Sequence, residues 1–125
     1  MKKLLILIIL ITVQISCAQK DDSAIQVEKF QEEIAKPDVI LLDVRTKEEY
    51  DAGHLINSIN LDYHGENFAT QLDSLDKSKQ YEVYCRSGKR SGESVKLMQE
   101  KGFKNVHHLE GGILEWMRKE KPVTK

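Results

Sequence analysis

Cysteine is scarce in this chain, and the scarcity limits its chemistry. Cys17 and Cys85 are the only two cysteines among 125 residues. No group of cysteines and histidines has the spacing of a zinc site. The adjacent His107 and His108 fall in a strand pattern, where neighbouring side chains point to opposite faces, so they do not chelate one metal together. The sequence therefore predicts no metal ion and no other cofactor.

The chain also lacks an excess of one charge and a long apolar run. Its 19 basic and 20 acidic side chains leave a net charge of -1, which excludes a nucleic-acid-binding protein driven by bulk positive charge. The apolar segment at residues 4–13 is shorter than the roughly 20 residues of a membrane-spanning helix. A chain of 125 residues suits one small domain.

The N-terminal segment has the features of an export signal. Lys2 and Lys3 precede the apolar residues 4–13, which show no helical stripe. Two cleavage routes fit. The pair Ser16-Cys17 resembles a bacterial lipoprotein site, at which Cys17 is lipidated and becomes the mature N-terminus. Ordinary cleavage after Ala18, with Ser16 and Ala18 as the small residues, is the alternative.

These boundaries divide the chain into a signal peptide (residues 1–17), a polar tether (18–23), a folded domain (24–120) and a tail (121–125). We expect an exported protein of a Gram-negative cell envelope, in the periplasm or on the outer membrane, with a lipid anchor at Cys17. Once Cys17 is lipidated or removed, Cys85 is the one remaining cysteine. It has no partner for a disulfide within the chain, so sulfur bound to it must pass to another molecule.

Cys85 follows a strand pattern and precedes a helix pattern. The apolar alternation at residues 81–84 predicts a buried strand, and a Ser-Gly pair separates it from a helical pattern that begins near Gly92. Chemistry in an open α/β sheet is expected just beyond the carboxyl end of a strand. Loop amides and the helix dipole favour an anion there, and hence the thiolate of Cys85. Three cations add to this effect: Arg86, Lys89 and Arg90. The alternative is an inert cysteine that only packs.

Strand and helix patterns alternate along the rest of the chain, which predicts a parallel α/β sandwich. Strand patterns occupy residues 25–27, 39–42, 58–61, 81–84 and 106–109. Helical patterns occupy residues 28–35, 46–52, 66–75 and 93–101, and a last helix opens at residues 110–112. Thr46 and Glu49 form a predicted capping box, and Gly102 is a natural helix end. Trp116 is predicted as a core anchor.

Asp43 and Arg45 close the strand at residues 39–42, and both are predicted to support the site. Arg45 either points into the pocket or forms a structural ion pair with a carboxylate such as Glu49. We favour the ion pair because such pairs are the commoner arrangement. Asp43 would then orient Arg45 or a loop amide and would not contact the substrate.

Three stretches, taken in order, resemble the single-domain members of the rhodanese-like sulfurtransferase family. They are residues 41–50 with Gly53-His54, residues 84–91 (YCRSGKRS), and residues 102–106 with 109–116. Together they cover nearly all of the chain from residue 25 to 116. The resemblance implies a three-layer sandwich with a central, mostly parallel five-stranded sheet. It also places the paired Gly111 and Gly112 near the cysteine loop and gives His54 a largely structural role.

The resemblance implies a thiosulfate sulfurtransferase. The thiolate of Cys85 attacks the outer sulfur of a small anionic donor, sulfite leaves, and the persulfide passes its sulfur to cyanide or a thiol. The loop amides would stabilise the anionic sulfur, with Arg90 as the most direct ligand of the donor. The residues that would bind the donor are Arg86, Ser87, Gly88, Lys89, Arg90 and Ser91.

Two alternatives remain open. Cysteine phosphatases and arsenate reductases have an arginine six residues after the cysteine, where this chain has Ser91, and Arg90 comes one residue early. In addition, no carboxylate is obviously placed as the general acid that a phosphatase needs. The other alternative is a non-catalytic binding module, but modules of this family usually lack the cysteine. Sulfur transfer is the function that we predict.

Overall fold

One parallel sheet forms the centre of residues 21–125, the part of the chain that the computed structural model describes. Its strands are β1 (Ala24–Ile25), β2 (Val39–Asp43), β3 (Ile59–Asn60), β4 (Gln80–Tyr84) and β5 (Val106–Leu109). They lie in the order β1-β5-β4-β2-β3, and every neighbouring pair is parallel. The predicted five-stranded α/β sandwich is confirmed.

Helices cover both faces of the sheet. They are α1 (Val27–Ile34), α2 (Lys47–Ala52), α3 (Phe68–Asp73), α4 (Lys89–Glu100) and α5 (Gly112–Arg118). Residues of α3 and α4 share one buried cluster with Val83 and Cys85, whereas residues of α1 and α5 share another with Tyr84. Successive residues of β4 therefore point to opposite faces. Both faces are buried, as is usual for parallel sheets.

Several element boundaries differ from the sequence predictions, and three of the differences have a clear local cause. The first strand is shorter than expected, because Gln26 is the N-cap of α1 and Val27 begins that helix. Helix α4 begins at Lys89 and not near Gly92, because Gly88 adopts a left-handed conformation (φ 107°) that turns the chain directly into the helix. Helix α3 is shorter than the predicted residues 66–75. A turn precedes it, in which the amide of Phe68 donates to the carbonyl of Gly65, so the helix begins only at Phe68.

Helix α2 has the predicted N-terminus. The hydroxyl of Thr46 accepts a hydrogen bond from the amide of Glu49, and the carboxylate of Glu49 accepts one from the amide of Thr46, which confirms the capping box. The helix ends at Ala52, and the next residue but one, His54, pairs with the backbone of Thr124 through two hydrogen bonds of 2.8 Å. The predicted tail thus contacts the domain.

No helix within residues 21–125 is long and apolar enough to cross a membrane. The predicted export signal, its cleavage site and the lipid anchor at Cys17 all lie outside the described residues.

Candidate active site

Cys85 lies directly after β4, at the carboxyl edge of the sheet, and its side chain is 1% exposed. The amide of Gly88 donates a hydrogen bond of 3.1 Å to Sγ. The thiol also contacts the hydroxyl of Ser91, with 3.4 Å between Sγ and Oγ. Gly88 is the N-cap of α4, a helix of 12 residues, so the positive end of the helix dipole faces the sulfur. The surroundings favour negative charge on Cys85.

The first turn of α5 binds the backbone of the cysteine loop (residues 85–91). The amide of Ile113 donates to the carbonyl of Cys85 (2.9 Å), and the amide of Leu114 donates to the carbonyl of Arg86 (3.2 Å). This approach requires a glycine at position 112, because a Cβ there would lie 2.3 Å from the carbonyl oxygen of Arg86. Gly112 also has a left-handed φ of 62°. The expectation that the paired glycines lie near the cysteine loop is confirmed.

Arg90 is paired with Glu49 at the rim of the loop. The two guanidinium nitrogens lie 2.8 and 3.0 Å from the two carboxylate oxygens, in a two-pronged contact. The hydrogen bond and the charge of Arg90 lower the pKa of Glu49 to about 2. Because its guanidinium is bound to Glu49, the side chain of Arg90 is less free to contact a substrate than the loop sequence suggested. Its role as a ligand of the donor remains a prediction.

Arg45 forms a buried ion pair, but its partner is Asp43. Nη2 of Arg45 lies 2.7 Å from Oδ2 of Asp43 and also 2.7 Å from the carbonyl oxygen of Gly53. The predicted structural ion pair of Arg45 is confirmed, as is the orienting role of Asp43, but Glu49 was the wrong example of a partner, because Arg90, from the first turn of α4, binds that carboxylate. Asp43 also accepts a hydrogen bond from the backbone amide of Arg45. The pair thus fixes the chain where β2 ends, and its side chains are nearly inaccessible.

The remaining polar residues of the loop line its outer side. Arg86, Ser87 and Lys89 are exposed, so two cations lie at the surface of the segment that follows Cys85. Such fixed positive charge raises the local concentration of an anionic substrate. The structure thus brings together all the predicted loop residues around the end of β4.

The structure adds two residues that the sequence analysis missed. Nδ1 of His108, on β5, lies 3.1 Å from Oγ of Ser91, and Nε2 lies 3.0 Å from Oδ2 of Asp21. Strand alternation could assign His107 and His108 to opposite faces, but only the strand order and register show that His108 shares a face with Cys85. Asp21 precedes β1, in a segment that the sequence suggested only as a tether.

Within residues 21–125, no cluster of three or more histidine, cysteine or carboxylate side chains is suited to hold a metal ion. The chemistry that the described residues provide is that of a buried, hydrogen-bonded thiol beside exposed cations. Such a thiol can act as a nucleophile toward a small anion.

Residues 26–119 match the model of the rhodanese-like domain, and the chain belongs to that family. Among curated relatives, the tRNA uridine(34) hydroxylases of Yersinia pestis and Yersinia enterocolitica are each 37% identical over 101 residues, which is 78% of this chain but only 28% and 29% of those proteins. The chain thus spans less than a third of the length of the relatives it matches.

Solved structures agree with this assignment. A rhodanese-related protein from Thermoplasma volcanium is 31% identical, with a TM-score of 0.72, and the match covers 81% of this chain and 96% of that one. A rhodanese-like domain protein from Staphylococcus aureus is 28% identical, with a TM-score of 0.65, over 75% of this chain and 90% of that one. The resemblance read from the sequence is confirmed at the level of the family and the fold.

Proposed function

We propose that this protein is a sulfurtransferase that moves sulfane sulfur from thiosulfate or a similar anionic donor to cyanide or a thiol. The observation that carries the proposal is the placement of Cys85. Its sulfur accepts a hydrogen bond from the amide of Gly88 at the N-terminus of a 12-residue helix, and the exposed Arg86 and Lys89 flank the loop. This arrangement suits an anionic sulfur nucleophile and an anionic substrate.

The first half-reaction forms a persulfide. The thiolate of Cys85 attacks the outer sulfur of thiosulfate, and a new S–S bond forms as the bond to the sulfonate breaks. Sulfite leaves with that electron pair, and Cys85 carries a terminal sulfur with one negative charge. The amide of Gly88 is placed to stabilise this charge, as an oxyanion hole stabilises oxygen, while Arg86 and Lys89 attract the donor.

The second half-reaction returns the enzyme to its starting state. Cyanide or a thiolate attacks the outer sulfur of the persulfide, and the S–S bond breaks toward Cys85. The products are thiocyanate, or a persulfide of the acceptor, and the thiolate of Cys85. No second cysteine occurs in residues 21–125, so the sulfur must leave for another molecule.

The loop supports sulfur transfer better than phosphate or arsenate chemistry. Ser91 stands six residues after Cys85, and its hydroxyl contacts the thiol, whereas Arg90 points to Glu49. An arginine that wraps a tetrahedral oxyanion is therefore missing from that position. The presence of Cys85 argues against a binding module that has lost its activity. The activity named for the Yersinia relatives belongs to proteins of which this chain spans only 28% and 29%.

We also propose that the domain works in the cell envelope, held by lipid on Cys17. The support is the order of basic residues, apolar run and Ser16-Cys17 at the N-terminus. Labelling with an alkyne fatty acid in a Gram-negative host tests it. We expect label on the wild type and none on Cys17→Ser. An unlabelled, exported wild type cleaved after Ala18 would contradict lipidation.

Formation of thiocyanate from thiosulfate and cyanide tests the proposed reaction. The full chain should produce thiocyanate, and Cys85→Ser should produce none above the uncatalysed rate, because a serine hydroxyl cannot form a persulfide. His107→Gln, on the other face of the sheet, serves as the control and should retain activity. If thiosulfate, polysulfide and a thiosulfonate all fail while the thiol is titratable, the proposal is wrong. Turnover of arsenate or a phosphate ester would then support the alternative enzymes.

A further inference from the structure

A continuous chain of hydrogen-bonding groups leads from Cys85 to the surface on the α4 face of the sheet. Sγ of Cys85 lies 3.4 Å from Oγ of Ser91, and Oγ lies 3.1 Å from Nδ1 of His108. On the other side of the ring, Nε2 of His108 lies 3.0 Å from the carboxylate of Asp21. Ser91 is 0% and His108 5% exposed, so the contacts of Ser91 with Cys85 and His108 are shielded from competing water, while the Asp21 carboxylate reaches the surface.

The partners of each group define where the protons lie. Hydrogen bonds from Ser23 and His108 lower the pKa of Asp21, so it is an acceptor. Nε2 of His108 must then carry a hydrogen and donate it, which leaves Nδ1 as an acceptor for the hydroxyl of Ser91. The carbonyl oxygen of Gly88, 3.2 Å from Oγ of Ser91, is a second acceptor for this hydroxyl hydrogen, slightly farther away than Nδ1. The oxygen of Ser91 in turn accepts the hydrogen of the Cys85 thiol. Every donor in this chain points in the same direction, from sulfur toward Asp21.

The same groups are also fully paired after a proton has moved. With His108 protonated, Nδ1–H donates to the oxygen of Ser91, and the hydroxyl of Ser91 donates to the thiolate. Asp21 then faces a full positive charge at Nε2–H. The chain thus has two complementary hydrogen-bonding states, thiol with imidazole and thiolate with imidazolium, and neither leaves one of these groups without a partner.

The imidazole of His108 packs against α4 and has apolar neighbours on the two adjacent strands. A Cβ on Gly92 would lie 3.4 Å from Cε1 of His108, which places the ring in contact distance of α4. The residues of β4 and β1 in register with His108 are Val83 and Ala24, both apolar. Among the described residues, the titratable groups that bear on this ring are therefore Asp21 and, through Ser91, the Cys85 thiol, which also feels the charge of Arg90.

We propose that Ser91, His108 and Asp21 form a proton relay that takes the thiol proton of Cys85. The S–H proton passes to Oγ of Ser91 while the hydroxyl proton of Ser91 passes to Nδ1 of His108. The products are a thiolate and an imidazolium, with no net change in charge. His108 and Asp21 act through Ser91 and are positioning residues. The relay deepens the proposed sulfur transfer, since that reaction needs the thiolate, but it concerns ionisation alone and can be tested without it.

The test is the pH dependence of alkylation of Cys85 by iodoacetamide in the full chain, measured by mass spectrometry of the Cys85 peptide. Only the thiolate reacts, so the rate reports its population. We expect the alkylation rate of His108→Gln to fall off at higher pH than that of the wild type. Near pH 6 the wild type should react about tenfold faster, since a shift of the profile by one pH unit changes the thiolate population by that factor. His107→Gln is the matched control and should follow the wild type.

Asp21→Asn gives a second and gentler variant, because this carboxylate is about half exposed and its loss should leave the fold intact. Without its charge the imidazolium is less stable, so we expect a smaller displacement in the same direction. Profiles of His108→Gln and Asp21→Asn that coincide with the wild type would overturn the relay. If His108→Gln does not fold, a wild-type profile for Asp21→Asn is sufficient to overturn it. A failure to transfer sulfur would leave these profiles unchanged, so the two proposals fail separately.

Discussion

The two neighbouring histidines of β5 lie on opposite faces of the sheet and belong to different polar clusters. His108 belongs to the cysteine-side cluster, which we define as Asp21, Cys85, Ser91 and His108. His107 belongs to the far-side cluster, which we define as Glu33, Gln80, Glu82 and His107. The first connects a nucleophile to the surface. The second joins α1 to strands β4 and β5 and contains no nucleophile.

The clusters also differ in how completely they are paired. On the cysteine side each polar group has a partner. On the far side, Oε2 of Glu82 has none among the described residues, although Oε1 accepts from His107 and Gln80 at 2.9 and 2.8 Å. Burial raises the pKa of Glu82 above its usual value. The comparison shows that buried polar groups alone do not mark the site; the site is where they connect to a reactive atom.

The largest expected effect comes from a substitution on the cysteine side, at Gly112. Gly112→Ala places a Cβ 2.3 Å from the carbonyl oxygen of Arg86, so the cysteine loop must move. We expect a loss of about 3 kcal/mol in stability and about a hundredfold loss in sulfur transfer, because small displacements of a reactive group are that costly. Urea unfolding and thiocyanate formation measure the two effects.

Gly102→Ala is the control for backbone strain. Gly102 also has a left-handed φ of 99°, but a Cβ there would meet nothing nearer than 4.0 Å. We expect a cost of about 1 to 2 kcal/mol in the free energy of unfolding from conformation alone. Sulfur transfer should be unchanged under conditions in which the variant is fully folded. Equal losses of activity in the two variants would show that the contact between α5 and the loop has no special role.

Two serines on α4 allow a second comparison, between a hydroxyl that contacts the thiol and one that does not. Ser91 contacts the thiol and His108, whereas the hydroxyl of Ser94, one turn later, donates to the carbonyl of Arg90 at 2.7 Å. We expect Ser91→Ala to slow sulfur transfer at pH 6 by about tenfold and Ser94→Ala to change it by less than about twofold. Initial rates between pH 5 and 9 distinguish them. Matching pH profiles of Ser91→Ala and the wild type would contradict the assignment.

The far-side cluster should affect stability and its pH dependence, not catalysis. The folded-state pKa of Glu82 is raised above 4.5 by burial, so the folded protein holds this proton more tightly than the unfolded chain. Its contribution to stability is present below pH 4.5 and is lost as pH rises through the folded-state value. Glu82→Gln, which carries no charge, should remove this pH dependence. We expect the free energy of unfolding of the wild type, relative to Glu82→Gln, to fall as the pH rises above 4.5.

Urea unfolding at several pH values measures that difference, and thiocyanate formation should be within about twofold of the wild type in Glu82→Gln. A wild-type curve parallel to that of the variant would show that Glu82 does not titrate as its burial implies. A large loss of activity would show that the two clusters are coupled through the sheet.

The smallest effect concerns the pair at the rim. Arg90 lowers the pKa of Glu49 to about 2, so the pair contributes stability above pH 4.5 that is lost as pH falls toward 2. Since both side chains are partly exposed, we expect Glu49→Gln to cost about 1 kcal/mol at pH 7. The cost should be much smaller near pH 2, where Glu49 becomes protonated in the folded protein as well. Chemical unfolding at both pH values measures it, and an equal cost at both would assign it to packing.

The fold was largely predictable because its elements have strong local patterns. The apolar run at residues 39–42, the capping box at Thr46 and the glycines around the cysteine loop each depend on residues close in sequence. The start of α4 was predicted too late because a left-handed Gly88 can begin a helix without a side-chain cap. A Cβ at position 88 would lie 3.5 Å from the backbone nitrogen of Gly111, which is an ordinary contact, so the left-handed φ and not a lack of space favours glycine there.

The site was predictable only as far as local sequence extends. Cys85 and its loop form one continuous stretch, so their proximity needed no knowledge of the fold. The partners of Arg45 and Arg90 depend on how the helices are arranged, because Arg90 on α4 binds Glu49 on α2, 41 residues earlier in the chain. His108 and Asp21 join the site through strand order and register, which pairwise sequence patterns do not determine.

The intact mass of the protein tests the central claim most directly. The full chain is measured before and after thiosulfate, and again after cyanide. We predict a gain of one sulfur atom that cyanide removes, and no gain in Cys85→Ser, because the persulfide forms on that thiol. A wild type that gains no sulfur from thiosulfate, polysulfide or a thiosulfonate while Cys85 remains titratable would contradict the account.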